Sequence, residues 1–128
     1  MEEFNLVATQ TTPCIKGSLK DGKVSICGKC CPEDSVAFFE PFYQWLKILS
    51  ISENQMLEFE FDLKYMNTSS GLIIFRILKE IKKLTSHKKV IVTWKYDEQD
   101  EDMMGVGKDF QYMIGDIVKL KSRIAKAT

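Results

Sequence analysis

Three adjacent hydroxyls stand together in the segment Tyr65-Met66-Asn67-Thr68-Ser69-Ser70-Gly71-Leu72. A helix start needs one short polar side chain as its cap, so Asn67, Thr68, Ser69 and Ser70 supply more than capping requires. A hydroxyl at such a place is also a candidate phosphate acceptor. A phosphoryl group adds about −1.5 to −2 charges at neutral pH. Free amides and the dipole at a helix start favour that sign of charge. Glu58, Glu60 and Asp62 would oppose it if they shared the same end of the sheet. The residues alone leave two readings open: Thr68 or Ser69 as a hydroxyl that only caps the helix, and a phosphate acceptor among the three hydroxyls.

The second group with chemical potential is sulfur. The chain has four cysteines, Cys14, Cys27, Cys30 and Cys31. Cys27-Gly28-Lys29-Cys30 is a C-x-x-C with Cys31 adjacent. A structural zinc site needs a second such pair or a downstream Cys/His pair, and His87 is the only histidine. A redox C-x-x-C opens a helix after a strand, where the helix start lowers the thiol pKa. Pro32-Glu33-Asp34 follows, so that geometry is open. A small thiol- or metal-binding protein using Cys27, Cys30 and Cys31 is the alternative function, against structural or incidental thiols.

The acidic run Asp97-Glu98-Gln99-Asp100-Glu101-Asp102 does not make an EF-hand: Asp102 stands where the loop needs glycine, and Lys108 where it needs a bidentate Glu. It reads as a solvated loop leading a helix, with a recognition surface as the competing reading. No nucleophile signature accompanies it, so acid–base catalysis is not indicated. His87 is expected in a solvent-facing turn, and Trp45 and Trp94 in the core.

Several elements must position these groups. Phe4–Ala8 reads as a short edge strand. Asp21-Gly22 is a hairpin turn signal between Cys14–Leu19 and Lys23–Cys27. Asp34 or Ser35 opens a helix whose stripe is Val36, Phe39, Phe42 or Tyr43, Leu46 and Leu49, with Pro41 predicted to kink or divide it. Leu57–Tyr65 alternates strictly: Leu57, Phe59, Phe61, Leu63 and Tyr65 on one face, Glu58, Glu60, Asp62 and Lys64 on the other. A helix over 71–84 begins apolar nearly all round, at Leu72, Ile73, Ile74 and Phe75, and ends amphipathic. A strand over 90–96, a helix with Met103, Val106, Phe110 and Met113 or Ile114 inward, and a strand over 117–120 complete the chain. The order β-β-β-α-β-α-β-α-β argues for a single α/β domain, a mixed sheet with about three helices.

Composition bounds the function. The 128 residues fit one domain, and 18 Lys+Arg balance 18 Asp+Glu. A hydrophobic fraction of 45% with zero net charge is globular. It removes the electrostatic case for a nucleic-acid partner. No apolar run is long enough for a membrane span, and the acidic start Met1-Glu2-Glu3-Phe4 lacks the basic region of a secretory signal. A cytoplasmic protein with reduced thiols is expected. Charge is uneven: residues 1–64 carry −4 and residues 65–128 carry +4, with a basic tail over 122–128.

Tyr65–Ser70 resembles, residue by residue, the Tyr-(Phe/Leu/Met)-Asn-Thr-Ser-Ser motif of the SiaC family of bacterial regulatory phosphoproteins. More distantly, the segment is similar to the Asp-Ser-Ser-Gly-Leu site of STAS-type anti-sigma factor antagonists. Three further pieces match the SiaC family in the same order: Thr11–Pro13, Pro32–Ser35 and Trp94–Glu98 with its acidic continuation to Met103. The resemblance covers about residues 5–121. Cys30-Cys31 departs from it, so no metal or redox role is inherited.

The resemblance implies a STAS-like fold and a non-enzymatic signalling protein without a cofactor. It implies Thr68 as the residue modified by a dedicated Ser/Thr kinase and restored by a metal-dependent phosphatase. The dephosphorylated form would bind and activate a diguanylate cyclase. The partner surface is expected at Tyr65, Asn67, Ser69, Ser70, Asp97 and Glu98.

Overall fold

A strand whose side chains alternate apolar and charged must lie between a dry layer and a wet one. The computed structural model describes residues 3–124 and places that strand at the centre of the fold. It is β4, Met56–Met66, within the series β1 Glu3–Leu6, β2 Cys14–Ser18, β3 Lys23–Cys30, α1 Ser35–Ser50, β4, α2 Thr68–Lys83, β5 Lys89–Asp97, α3 Glu101–Ile114 and β6 Val118–Arg123. The six strands form one mixed sheet in chain order. β1–β2 and β2–β3 pair antiparallel; β3–β4, β4–β5 and β5–β6 pair parallel.

Each parallel step moves one strand in the same direction through a helix. Right-handed crossovers then put all three helices on one face. Burial agrees: Leu57, Phe59, Phe61 and Leu63 of β4 are buried with Val24, Ile26, Val92, Trp94 and Val118. Glu58, Glu60 and Asp62 lie on the face without helices. There they pair with Lys23, Lys95 and Arg123 respectively.

Two glycines let aromatic rings approach the covered face closely. A Cβ at Gly17 would stand 2.5 Å from the Trp45 ring. One at Gly107 would overlap the Trp94 ring, whose Nε1 donates to the Met103 carbonyl at 3.0 Å. Trp45 and Trp94 are both core residues, as expected.

The structure corrects several expectations. Pro41 does not divide α1, which runs unbroken with Pro41 on its exposed side. The missing donor and the ring therefore face water rather than the packed layer. Val36 is 59% exposed, because the inward stripe runs instead through Ser35, Phe39, Phe42, Trp45, Leu46 and Leu49. Tyr65 is 54% exposed because the register shift after Leu63 breaks the alternation and pairs it with exposed Lys29. Leu72 is 62% exposed because it lies on the side of α2 away from buried Ser70, Ile73, Ile74 and Ile77. β1 begins and ends earlier than expected, and α2 begins at Thr68. Of Met113 and Ile114, Ile114 is the buried one. β6 takes up Ser122 and Arg123 from the expected tail, and residues 125–128 of that tail lie outside the described residues. Among the described residues, no helix is long and apolar enough to cross a membrane.

Candidate functional site

Because β3 to β6 are parallel, their carboxyl ends share one edge of the sheet, and each helix begins there. Cys30 precedes α1, Met66 precedes α2 and Asp97 precedes α3. Open α/β sheets gather their functional groups at this edge.

Asn67, not a hydroxyl residue, caps α2. Its backbone is extended and its Oδ1 accepts from the Ser70 amide at 3.0 Å. Its own amide donates to the Cys30 carbonyl at 3.1 Å, which fixes the cap to the end of β3. With the cap assigned, the three hydroxyls separate. Ser70 is fully buried; its Oγ lies 3.1 Å from that of Ser35. Ser35 Oγ also lies 2.8 Å from Ser69 Oγ, so one hydroxyl of α1 ties down two of α2. Thr68 is exposed and, among the described residues, enters none of these side-chain bonds. Its amide is among the first of the helix, which have no intrahelical acceptor.

Of the residues expected on a partner surface, Tyr65, Ser69 and Glu98 are exposed there. Asn67 is half-buried by its capping role. Ser70 differs from them: it is fully buried, in a hydroxyl seam with Ser35 beneath the surface. Asp97 is half-buried and accepts from Arg123 Nε at 2.6 Å; Arg123 also bridges to Asp62. These two carboxylates push the Arg123 guanidinium up, Asp62 first, with burial acting the other way. The acids feared as opposition to a phosphate are thus neutralised pairwise on the open face of the sheet. Sequence reasoning missed Val36 and Leu72, two exposed apolar side chains at the starts of α1 and α2. Their signal was helical phase: each lies off the inward stripe of its helix, Ser35-Phe39-Phe42 in α1 and Ser70-Ile73-Ile74-Ile77 in α2.

Asp100 caps α3, accepting from the Met103 amide at 3.0 Å, and Glu101 and Asp102 fill its first turn. That is the helix-leading acidic loop expected. Among the described residues, no three His, Cys, Asp or Glu side chains gather as a metal-ligand set.

The C-x-x-C does not converge. It lies along β3 rather than at a helix start, with Cys27 exposed on the open face and Cys30 fully buried beneath α2. Burial pushes the Cys30 thiol up, partly offset by its hydrogen bond with Ser70. A buried protonated thiol is inert. A broad trough of about 710 Å³ lies on the open face, lined by Lys16, Ser25, Glu58, Glu60 and Thr93 among others, away from Thr68.

Comparison with known proteins gives a consistent picture. The chain is 28% identical over 112 residues to an uncharacterized protein of Pseudomonas aeruginosa (strain UCBPP-PA14), covering 87% of this chain and 89% of that protein. Its fold superposes on SiaC of Pseudomonas aeruginosa with a TM-score of 0.86 at 24% identity, over 96% of this chain and 100% of that one. It superposes with a TM-score of 0.87 at 25% identity on the crystal structure of the diguanylate cyclase SiaD in complex with its activator SiaC from the same organism, over 94% and 99%. The family model for SiaC family regulatory phosphoproteins matches residues 6–122. Since that match spans most of the sequence, the chain belongs to the SiaC family of regulatory phosphoproteins.

Proposed function

We propose that this chain is a phosphoswitch whose acceptor is Thr68, and that the modification governs binding to a diguanylate cyclase. The observation that carries the reading is the separation of the hydroxyls. Ser70 is sealed, Ser69 is exposed but bonded to Ser35, and Thr68 is exposed and outside the seam at the first position of α2. The likeness to a SiaC seated on a cyclase that it activates supports the partner class.

A dianion at the first position of a helix is locally favourable, by about 0.3–1 kcal/mol. The phosphorylated chain therefore keeps its fold, and the change falls on the surface. Exposed Tyr65, Val36 and Leu72 stand at the same edge of the sheet and supply the apolar contact of a docking face. A phosphate among them must be desolvated for a partner to close over it, which is costly unless the partner supplies a cation. Modification and binding are coupled only as far as the two forms differ in affinity. A Ser/Thr kinase would install the group and a metal-dependent phosphatase would remove it. The chain itself acts as the regulated component rather than as a catalyst.

Calorimetry with the cyclase separates the outcomes. Unmodified protein and Thr68→Ala should bind alike, and the Thr68 phosphoprotein at least tenfold more weakly. Equal affinities for the modified and unmodified forms would refute the switch. Intact-mass analysis of protein from its native host should show a species heavier by about 80 Da, one phosphoryl group. That species should be absent from Thr68→Ala; its persistence there would move the acceptor to Ser69.

A further inference from the structure

The register of the β2–β3 hairpin places Cys14 directly opposite Cys27. Directly opposed residues of an antiparallel pair hold their Cα atoms about 4.5–5.5 Å apart, whichever of the two ladder positions they occupy. A disulfide needs about 4.4–6.8 Å. Both side chains lie on the open face of the sheet, Cys27 exposed and Cys14 half-buried. The two thiols are cross-strand neighbours on that face. The pair is also the last regular rung of the hairpin. Gly28 follows at φ 103°, and there β3 parts from β2 while staying paired with β4.

We propose that Cys14 and Cys27 are a reversible redox modification site, closing a cross-strand disulfide with a low-molecular-weight disulfide of the glutathione class as oxidant. The step balances as follows. The exposed Cys27 thiolate attacks one sulfur of the oxidant, forming a mixed disulfide and expelling one small thiolate. Cys14 thiolate then attacks Cys27 Sγ, forming the cross-strand bond and expelling the second. Two protein thiols are oxidised by two electrons, one disulfide is reduced to two thiols, and the protons released from Cys14 and Cys27 end on those thiols.

The remaining cysteines do not compete. Cys30 is fully buried, and Cys31 lies past the bulge with its amide bonded to the Thr11 carbonyl at 2.7 Å. Burial, then the neighbouring Cys14 thiol and Asp62, push the Cys27 thiol up, against a smaller opposing pull from Lys16. Little thiolate is present at neutral pH, which suits a site that equilibrates with the thiol pool rather than a catalytic thiol that turns over. The inference is independent of Thr68 and of any partner.

The test uses the full chain equilibrated anaerobically in glutathione buffers of rising oxidised fraction, acid-quenched, alkylated and mapped by mass spectrometry. The expected product is two hydrogens lighter, contains a Cys14–Cys27 cross-linked peptide, and reverts with dithiothreitol. Its folding equilibrium should rise on the order of a hundredfold, as for a loop of this length. Cys14→Ser should leave Cys27 holding a single glutathionyl group and lose the stabilisation. Cys27→Ser should leave no cross-link. The proposal is overturned if oxidation links Cys30 or Cys31 instead, joins two chains, stalls in the wild type at glutathionylated Cys27, or leaves all four thiols free in the most oxidising buffer.

Discussion

The two faces of the one sheet obey different rules. On the covered face, side chains are chosen for shape: Phe61 lies against Trp94 at 5.6 Å between ring centroids, and Trp94 meets Phe110 edge-on at 5.2 Å. On the open face, the neighbouring residues of the same strand are chosen for charge, Glu60 with Lys95 and Asp62 with Arg123. One face holds the molecule together, and the other leaves room for reactions such as the one at Cys14 and Cys27. Thr68 lies at the carboxyl edge, where the covered face runs out and both kinds of residue come to the surface.

The sharpest way to break this comparison is a pair of substitutions one residue apart. Phe61→Ala removes a ring that is 1% exposed and should cost about 3–5 kcal/mol, a large part of the roughly 5–15 kcal/mol that holds a domain folded. Glu60→Gln removes one partner of an exposed ion pair and should cost no more than about 1 kcal/mol. Urea unfolding midpoints measure both. Comparable losses would mean that the open face is covered in solution, for instance by another molecule.

The alternation of β4 and the element order were legible because each rests on local periodicity. What the sequence concealed depends on register and on which side of a helix faces in. Tyr65 continues the apolar alternation, but the register shift after Leu63 pairs it with exposed Lys29. Leu72 opens an apolar run, but lies on the outward side of α2. Pro41 reads as a break, but on the solvent side of a packed helix it is tolerated. The crowding of hydroxyls at the start of α2 was legible, whereas the setting apart of Thr68 from Ser69 and Ser70 needed Ser35, thirty-five residues before Ser70 in the chain. The Cys14–Cys27 pair was within reach. A turn at Asp21-Gly22 that pairs Ser18 with Lys23 also pairs Cys14 with Cys27 by counting outward. The C-x-x-C spacing drew attention to the wrong partner.

Ser35→Ala tests the seam between the two regimes. It removes the hydroxyl that joins Ser69 and Ser70, while Ser70 keeps its contact with the Cys30 thiol. A loss of about 1 kcal/mol is expected, as for one buried hydrogen bond. Ser69 should be released as well. Hydrogen exchange at the amides of residues 68–70 should accelerate while the centre of β4 stays protected. Uniform acceleration across the sheet would show instead that Ser35 supports the whole fold.

The smallest effect lies on the outer side of α2, which should behave like the open face. Lys83 Nζ donates to Glu80 Oε1 at 3.1 Å, and this bond holds the Glu80 carboxyl below the usual carboxylate range, against burial acting the other way. A depressed folded-state pKa contributes stability that is complete above the unfolded value, near about 4.3 for Glu. That contribution is lost as pH falls through the lower folded value. The pair is exposed and three residues apart on a helix, so it is worth about 0.2–0.5 kcal/mol. Glu80→Gln should therefore lower stability slightly at pH 7 and not at all well below pH ~4, where wild type and variant converge. Convergence should also come at high salt, because exposed charges are screened. A difference that persisted in acid and in salt would mean that Glu80 acts through packing against Tyr43, and that the outer side of α2 belongs with the covered face rather than the open one.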